Sequence, residues 1–294
     1  MTGAILAAGI VGIGFGVHAH TVASTTSSRS PGPSTVSPSP SPSPSPSPSP
    51  TPDITGARTS MDAALDAIVD GTSVSLSVAI RDDTTGATLT YQTGKRYQTA
   101  SIVKVDILAT LLYQAKRAGR SLTSGEKSEA TLMITQSDNG AASYLWDDIG
   151  GASALASANK RFGLTHTTPG SGEWWGVTTT TVGDQLTLLD TVLDPAGPLG
   201  AAGVAYLSGL MGRVVDDQDW GVSAAAGHGE TTILKNGWDI YGSVWNVNSI
   251  GRITGGSGPV TVAVLSTGNP DEYDGIHLVE RAAGTARKYL DRVS

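Results

Sequence analysis

The segment that most constrains the fold is an apolar run that begins directly after Ser101. Seven of the next eleven residues are Ile, Val or Leu, and they lie on nearly every side of a helix: Ile102, Val103, Val105, Ile107, Leu108, Leu111 and Leu112. A helix that is apolar all round is buried, whereas a surface helix keeps a polar face. The sequence therefore predicts a helix over 102–118 that passes through the middle of the protein.

Ser101 and Lys104 form an S-x-x-K pair at the start of this helix. Residues three apart share a helix face, so an amine lies beside a hydroxyl. A serine hydroxyl is a weak nucleophile, and a lysine whose pKa is lowered by burial can take its proton. An isolated S-x-x-K is more often ordinary helix surface, so the pair alone does not define a site.

Two later motifs lie at the ends of predicted secondary-structure elements. Ser137-Asp138-Asn139 follows a predicted helix, and Lys235-Asn236-Gly237 closes the strand-like run 231–234. Taken singly, the first is more often a turn or helix cap and the second a hairpin turn. S-x-x-K, S-D-N and a K-x-G box in this order resemble class A β-lactamases and the related penicillin-recognising, D,D-peptidase-like serine hydrolases. The likeness runs from about Thr72 to the C-terminus and includes the threonines 178–181.

The resemblance implies roles for the residues of these motifs. Ser101 corresponds to the nucleophile, Lys104 to the residue that activates it, and Ser137 to the relay that protonates the leaving nitrogen. Asn139 and Lys235 would bind the substrate through their side chains. The backbone N–H groups of Ser101 and Trp238 would stabilise the oxyanion. Gly237 would leave room for the substrate along the strand edge.

The chain departs from the family pattern at three places. Ser137 follows Ser101 by only 36 positions, fewer than is usual in class A enzymes, and Asn236 replaces a Thr or Ser. We expect the Asn236 amide to donate to a substrate carboxylate. In the Ω-loop region, 164–181, Glu173 is the only carboxylate and lacks the family's E-x-x-L-N surroundings. Glu173 is a candidate base for deacylation, and an exposed loop carboxylate is the alternative interpretation.

The pattern of elements predicts an α+β fold of the β-lactamase/transpeptidase type, with a five-stranded antiparallel sheet, flanking helices and an inserted all-helical lobe. A helix over 60–70 and a hairpin over 74–91 precede the helical lobe, which covers 101–212. Strands over 231–234, 243–253 and 260–266 and a closing helix over 272–293 follow it. We expect the cleft between sheet and lobe to hold Ser101, Ser137 and Lys235.

The first 52 residues differ in character from the rest of the chain. Residues 3–17 are an unbroken apolar run, which indicates a secretory signal or an N-terminal anchor over 1–23. Residues 24–52 form a Ser/Pro-rich linker with seven consecutive Ser-Pro pairs, typical of an extended polyproline II stalk, with a disordered tether as the alternative. The chain contains no cysteine, so neither a disulfide nor a lipid-modified cysteine can form. We expect a bacterial, extracytoplasmic protein whose catalytic domain is 53–294.

Charge and composition exclude several classes of function. Arg29 is the only charged residue in 1–52, which leaves a net charge of −8 on the other 242 residues and no basic stripe for nucleic acid. The five histidines are scattered, so we expect no metal site. The mechanism that the resemblance implies uses only side chains, backbone donors and water, so we expect no bound cofactor. The tryptophans at 174, 175, 220, 238 and 245 are interpreted as core residues in preference to cleft-lining ones.

Three functions remain open. The first is a secreted serine hydrolase that opens β-lactams through an acyl-enzyme on Ser101. The second is a D,D-peptidase that acts on peptidoglycan stem peptides, and the third is a penicillin-binding module that acylates and releases slowly. We expect the protein to act as a monomer.

Overall fold

The computed structural model describes residues 53–256 and 258–294. The predicted signal segment and Ser-Pro linker lie outside these residues. The described helices are α1 (Ile54–Val69), α2 (Val103–Arg117), α3 (Ser124–Thr135), α4 (Asn139–Ile149), α5 (Gly151–Phe162), α6 (Val182–Val192), α7 (Gly200–Met211) and α8 (Glu272–Leu290). The strands are β1 (Ser75–Asp82), β2 (Thr88–Tyr91), β3 (Tyr97–Gln98), β4 (Thr179–Thr180), β5 (Thr231–Tyr241), β6 (Val244–Thr254) and β7 (Val260–Asn269).

Five strands form one antiparallel sheet in the order β2-β1-β7-β6-β5. The first two strands and the last three come from opposite ends of the described chain, so the segment between them is inserted into a split sheet. This confirms the predicted α+β architecture with a five-stranded sheet. β5 pairs only with β6, and its other edge therefore carries backbone groups that the sheet does not use.

The sheet separates two hydrophobic clusters. On one face, Leu76, Val78 and Ile80 of β1 pack with residues of α1 and α8. On the other face, Ala79 and residues of β6 and β7 join the helices α2 to α7. This alternation along β1 is the period-two pattern of a strand that is buried on both faces.

Helix α2 forms the centre of the helical lobe, as the sequence predicts. Eleven of its fifteen residues are buried, including Lys104, Asp106 and Thr110. Burial of polar residues in a central helix is costly unless they are hydrogen-bonded. Their presence points to constraints other than packing.

Two elements differ from the predictions. β5 continues to Tyr241, so Lys235, Asn236 and Gly237 lie inside an edge strand and do not end it. α1 begins at Ile54 because the Asp53 side chain caps it, accepting a hydrogen bond from Gly56 N at 2.9 Å. Within the described residues, none of the helices combines the length and apolar character that a membrane crossing requires.

Candidate active site

Ser101 lies in a turn of 3-10 helix, Ala100–Ile102, that leads directly into α2. The residue before it, Ala100, has a φ of +44°, a left-handed conformation that is unfavourable for a residue with a Cβ. Only three non-glycine residues of the described chain have such a φ, and a second one is Ser137, at +57°. Backbone strain is therefore concentrated beside the predicted nucleophile and its predicted relay.

The turn that carries Ser101 is held by the strand behind it. Asn248, fully buried on β6, donates through Nδ2 to Gln98 O at 2.9 Å and to Thr99 O at 3.1 Å. Thr99 N in turn donates to Thr178 O at 2.8 Å. These bonds connect the turn to the sheet and to the loop 164–181, and such support is what keeps a strained turn in place.

Lys104 is fully buried one helical turn after Ser101. Its Nζ donates to Ser137 O at 2.6 Å, to Ser137 Oγ at 3.1 Å and to Asn139 Oδ1 at 2.8 Å. Burial lowers the pKa of Lys104 to about 7, and the nearby charge of Asp138 opposes this shift. Lys104 can therefore exchange a proton near neutral pH, which an ordinary lysine does not do.

Lys235 reaches the same hydroxyl from the sheet. Its Nζ donates to Ser137 Oγ at 3.0 Å and to Asn236 O at 2.8 Å. Burial, and then the charge of Lys104, hold the pKa of Lys235 well below its usual range. The structure thus brings one residue from each predicted motif, Lys104, Ser137 and Lys235, into a single hydrogen-bonded group.

Gly237 is the point at which β5 meets the Ser101 turn. A Cβ at this position would lie 2.6 Å from Thr99 O and 2.7 Å from both Ser101 N and Ile102 N. All three are backbone atoms, so only glycine allows this close approach. The predicted oxyanion donor Trp238 is the next residue of the same edge strand, and its ring packs edge-on against Trp220 at 5.8 Å between centroids.

The side chain of Asn236 differs from its predicted use. It is buried, and its Nδ2 donates to Gln218 O at 2.8 Å and to Trp220 O at 3.1 Å. An amide group has two N–H donors, so neither is left for a substrate carboxylate. Asn236 instead ties β5 to the segment 218–220.

Glu173 lies on the loop 164–181 and is exposed. Glu173 is not among the hydrogen-bond partners of Lys104. The group that covers Lys104 is Trp175, whose ring centroid is 4.9 Å from Nζ.

The loop 164–181 is fixed to α4 by two tryptophans: Trp146 Nε1 donates to Gly172 O at 2.9 Å, and Trp175 Nε1 donates to Ser143 Oγ at 3.1 Å.

The tryptophans are not all core residues. Trp220 is buried, but 72% of the Trp174 surface is exposed, and Trp175 lies in the cleft over Lys104. Sequence reasoning did not single out Trp175 for the site, and it missed Asn248 altogether. A signal for Asn248 exists, because Asn246 and Asn248 are polar residues two apart in a predicted strand, which places both on one face of the sheet.

Across residues 53–256 and 258–294, no group of three or more His, Asp or Glu side chains has the arrangement of a metal site. The groups that meet at the described site include the Ser137 hydroxyl, the amines of Lys104 and Lys235 and the side-chain amide of Asn139. Such groups suffice for acyl transfer to a serine.

Comparison with known proteins identifies the family. The model of the Beta-lactamase enzyme family matches residues 127–290, which include Ser137, Asn139 and Lys235. Ser101 and Lys104 precede the matched region. The match covers more than half of the chain, which therefore belongs to this family, as the three motifs predict.

The chain is also similar to curated proteins and to solved structures. The protein described as "Putative lipoprotein LppW", from Mycobacterium tuberculosis and Mycobacterium bovis, is 31% identical over 186 residues, which are 60% of this chain. The chain spans only 59% of the length of these curated relatives. TLA-1 extended spectrum β-lactamase has a TM-score of 0.72 at 15% identity, covering 81% of this chain and 100% of that one.

A second solved structure is a point mutant of PBP-A, in an acyl-enzyme complex with penicillin G. Its TM-score is 0.69 at 22% identity, covering 82% of this chain and 99% of that one. At such identities the likeness to both solved structures shows the fold alone. The described domain has the class A β-lactamase fold.

Proposed function

We propose that this protein is an active-site serine hydrolase that opens β-lactam amides through an acyl-enzyme on Ser101. The observation that carries the proposal is the shared hydrogen bonding of Ser137 Oγ to Lys104 Nζ and Lys235 Nζ, at 3.1 and 3.0 Å. Two buried amines with lowered pKa values around one hydroxyl are costly for folding and useful for proton transfer.

In the proposed reaction, neutral Lys104 accepts the proton of Ser101 while Ser101 Oγ bonds to the carbonyl carbon of the lactam. The backbone N–H groups of Ser101 and Trp238 stabilise the oxyanion that forms. The carbon–nitrogen bond then breaks, and Ser137 gives its proton to the leaving nitrogen and is reprotonated from the lysines. A water molecule later cleaves the ester and restores the Ser101 hydroxyl.

Release of the acyl group requires a base that activates the attacking water. Glu173 is the candidate base, but it is exposed and Lys104 has no carboxylate among its hydrogen-bond partners in the described residues. This favours a second candidate function, a penicillin-binding module in which the acyl-enzyme persists, and a D,D-peptidase that acts on stem peptides is the third. PBP-A, which was solved as a penicillin G acyl-enzyme, has a similar fold.

Incubation of the full chain with a chromogenic β-lactam separates these functions, if colour and intact mass are followed together beside a Ser101→Ala control. Sustained colour without a lasting adduct supports a β-lactamase, and a single burst with a stable adduct supports a penicillin-binding protein. Release of D-alanine from a synthetic stem peptide supports the peptidase. If neither colour nor adduct forms, the proposal that this protein reacts with β-lactams is wrong.

The role of Glu173 is tested separately with Glu173→Gln, which keeps the size of the side chain. If Glu173 activates the deacylating water, the adduct on the variant lasts at least about 100-fold longer. An unchanged lifetime shows that Glu173 is not the base.

We also propose that residues 1–23 direct export or anchor the protein, and that residues 24–52 hold the domain 53–294 within the cell envelope. The apolar run 3–17 supports this, as does the lipoprotein description of the mycobacterial relatives. Fractionation of bacteria that express the full chain tests the proposal, and retention in the cytosol contradicts it.

A further inference from the structure

A cavity of about 560 Å³ opens beside the candidate catalytic group. Residues 173–177 of the loop form one wall, and Asp239–Tyr241 at the end of β5 form the other. Trp175 borders both this cavity and Lys104, and Asp239 is two residues beyond Gly237 on the same strand. A substrate bound along β5 with its carbonyl near Ser101 would extend into this space.

The rim of the cavity is apolar and exposed. Eight large apolar side chains are exposed in the described chain, and four of them line this one cavity: Trp174, Val177, Ile240 and Tyr241. Trp174, Ile240 and Tyr241 are 72%, 59% and 64% exposed. Exposed apolar groups scattered singly need no explanation, but a cluster at a cleft indicates a ligand surface.

Two carboxylates line the same cavity, the exposed Glu173 on the loop and the half-buried Asp239 on β5. Asp239 is only partly exposed, and its Oδ1 accepts a hydrogen bond from Asn246 Nδ2 at 2.7 Å. None of the ion pairs found in the described residues includes Asp239. Burial raises the pKa of Asp239, because the charged form has lost part of its hydration.

The bond to Asn246 does not explain why residue 239 is an acid. Asp239 and Asn246 are register partners across the β5–β6 hairpin, and an asparagine at 239 would accept the same hydrogen bond. The negative charge is what an asparagine would lack. Such a charge can attract a positive charge in the cavity, and aromatic side chains such as Trp174 and Tyr241, which line it, also bind cations.

We propose that this cavity binds a substrate side chain that carries an ammonium group, with Asp239 as its counter-charge and the apolar rim around its hydrocarbon part. The inference rests on the proposed function, since it names the class of acyl donor that Ser101 prefers. Such donors include amino-bearing penicillins and peptides whose side chain ends in an amine.

The test compares two penicillins that differ only in an α-ammonium on a phenylacetyl side chain. The second-order rate constant for acylation of the full chain is measured with each, by intact mass. We expect the ammonium compound to react about fivefold faster, the effect of one partly screened ion pair. In Asp239→Asn, the ratio of the two acylation rate constants should fall to about one. The charge-matched control is Asp70→Asn, which changes an exposed residue at the end of α1 and should leave the ratio at its wild-type value.

Calorimetric binding of both compounds to Ser101→Ala separates failure of this inference from failure of the proposed function. If the wild type forms no adduct, the proposed function is wrong. The inference still holds in that case if Ser101→Ala binds the ammonium compound more tightly than the other penicillin, and if adding Asp239→Asn to Ser101→Ala abolishes the difference. Equal rates in the wild type, or a preference that survives Asp239→Asn, overturns the inference. Thermal unfolding of Asp239→Asn verifies that the variant is folded.

Discussion

The ring of Trp175 covers Lys104, with 4.9 Å between its centroid and Nζ. The ring has two opposite effects on the amine. It excludes water, which disfavours the charged form, and its negative face attracts a cation, which favours the charged form. Desolvation by burial is the leading cause of the lowered pKa of Lys104, and the ring of Trp175 is one of the groups that bury the amine.

Replacement of Trp175 should therefore change the pH dependence of acylation. In Trp175→Ala, water reaches Lys104, and we expect the pH midpoint of the acylation rate constant to rise by about one unit. Trp175→Phe is the control, since it keeps a ring over Lys104 and loses only the hydrogen bond to Ser143. A midpoint that stays the same or falls in the alanine variant would show that Trp175 does not desolvate the amine.

The wild-type pH profile gives a second prediction. Lys104 must be neutral to accept a proton, and its pKa is about 7, so acylation by a β-lactam should rise with pH and level off above 7. Below the midpoint the rate constant should change about tenfold per pH unit. Lys104→Arg stays cationic and should lose at least about 100-fold at pH 8. A flat profile between pH 5.5 and 8.5 is incompatible with Lys104 as the base.

Gly237 tests the close approach of β5 to the Ser101 turn. The Cβ of Gly237→Ala would lie 2.6–2.7 Å from three backbone atoms, so the strand and the turn must separate. We expect a loss of about 1–3 kcal/mol of unfolding free energy together with a large fall in acylation. Gly94→Ala is the matched control, because a Cβ there has no atom within 4 Å. Urea unfolding and the acylation rate constant are measured for both, and normal acylation by Gly237→Ala would contradict the geometry.

A buried acid in α2 gives a prediction for stability. Asp106 is fully enclosed, and burial raises its pKa to about 8 from 3.8. Between these two pH values the folded protein holds a proton on Asp106 that the unfolded chain releases. The contribution of Asp106 to the unfolding free energy is therefore fully present below pH 4 and is lost as the pH rises toward 8. The unfolding free energy falls by at most about 1.4 kcal/mol per pH unit over this range.

Asp106→Asn resembles the protonated acid at every pH. We expect its unfolding free energy to match that of the wild type near pH 4 and to exceed it by a few kcal/mol at pH 8. Denaturant unfolding of both proteins at the two pH values measures the difference. A variant that is less stable than the wild type at pH 8 would show that Asp106 has a partner for its charge.

The helices could be located from sequence because local signals define their ends. Thr123 and Glu126 form a capping box at the start of α3, and Gly150 and Gly163 adopt left-handed conformations where α4 and α5 end. The end of β5 could not be located, because Lys235, Asn236 and Gly237 have the composition of a turn. They remain in a strand, where tertiary partners accept hydrogen bonds from Lys235 Nζ and Asn236 Nδ2.

The candidate site was predictable in its motifs and not in its contacts. The order of the three boxes identified Ser101, Lys104, Ser137 and Lys235, and the structure brings the last three into one hydrogen-bonded group. The ring over Lys104 comes from a loop more than sixty residues away in the chain, and no local pattern relates the two. Contacts of this kind depend on how the loop packs against α4.

Identification of the acylated residue is the most direct test of the central claim. The full chain is labelled with a fluorescent penicillin and digested, and the labelled peptide is sequenced by mass spectrometry beside Ser101→Ala and Ser137→Ala. The account predicts one label, on Ser101, that Ser101→Ala abolishes and that forms at least about 100-fold more slowly in Ser137→Ala. A label on any other residue, or labelling that persists in Ser101→Ala, would contradict the account.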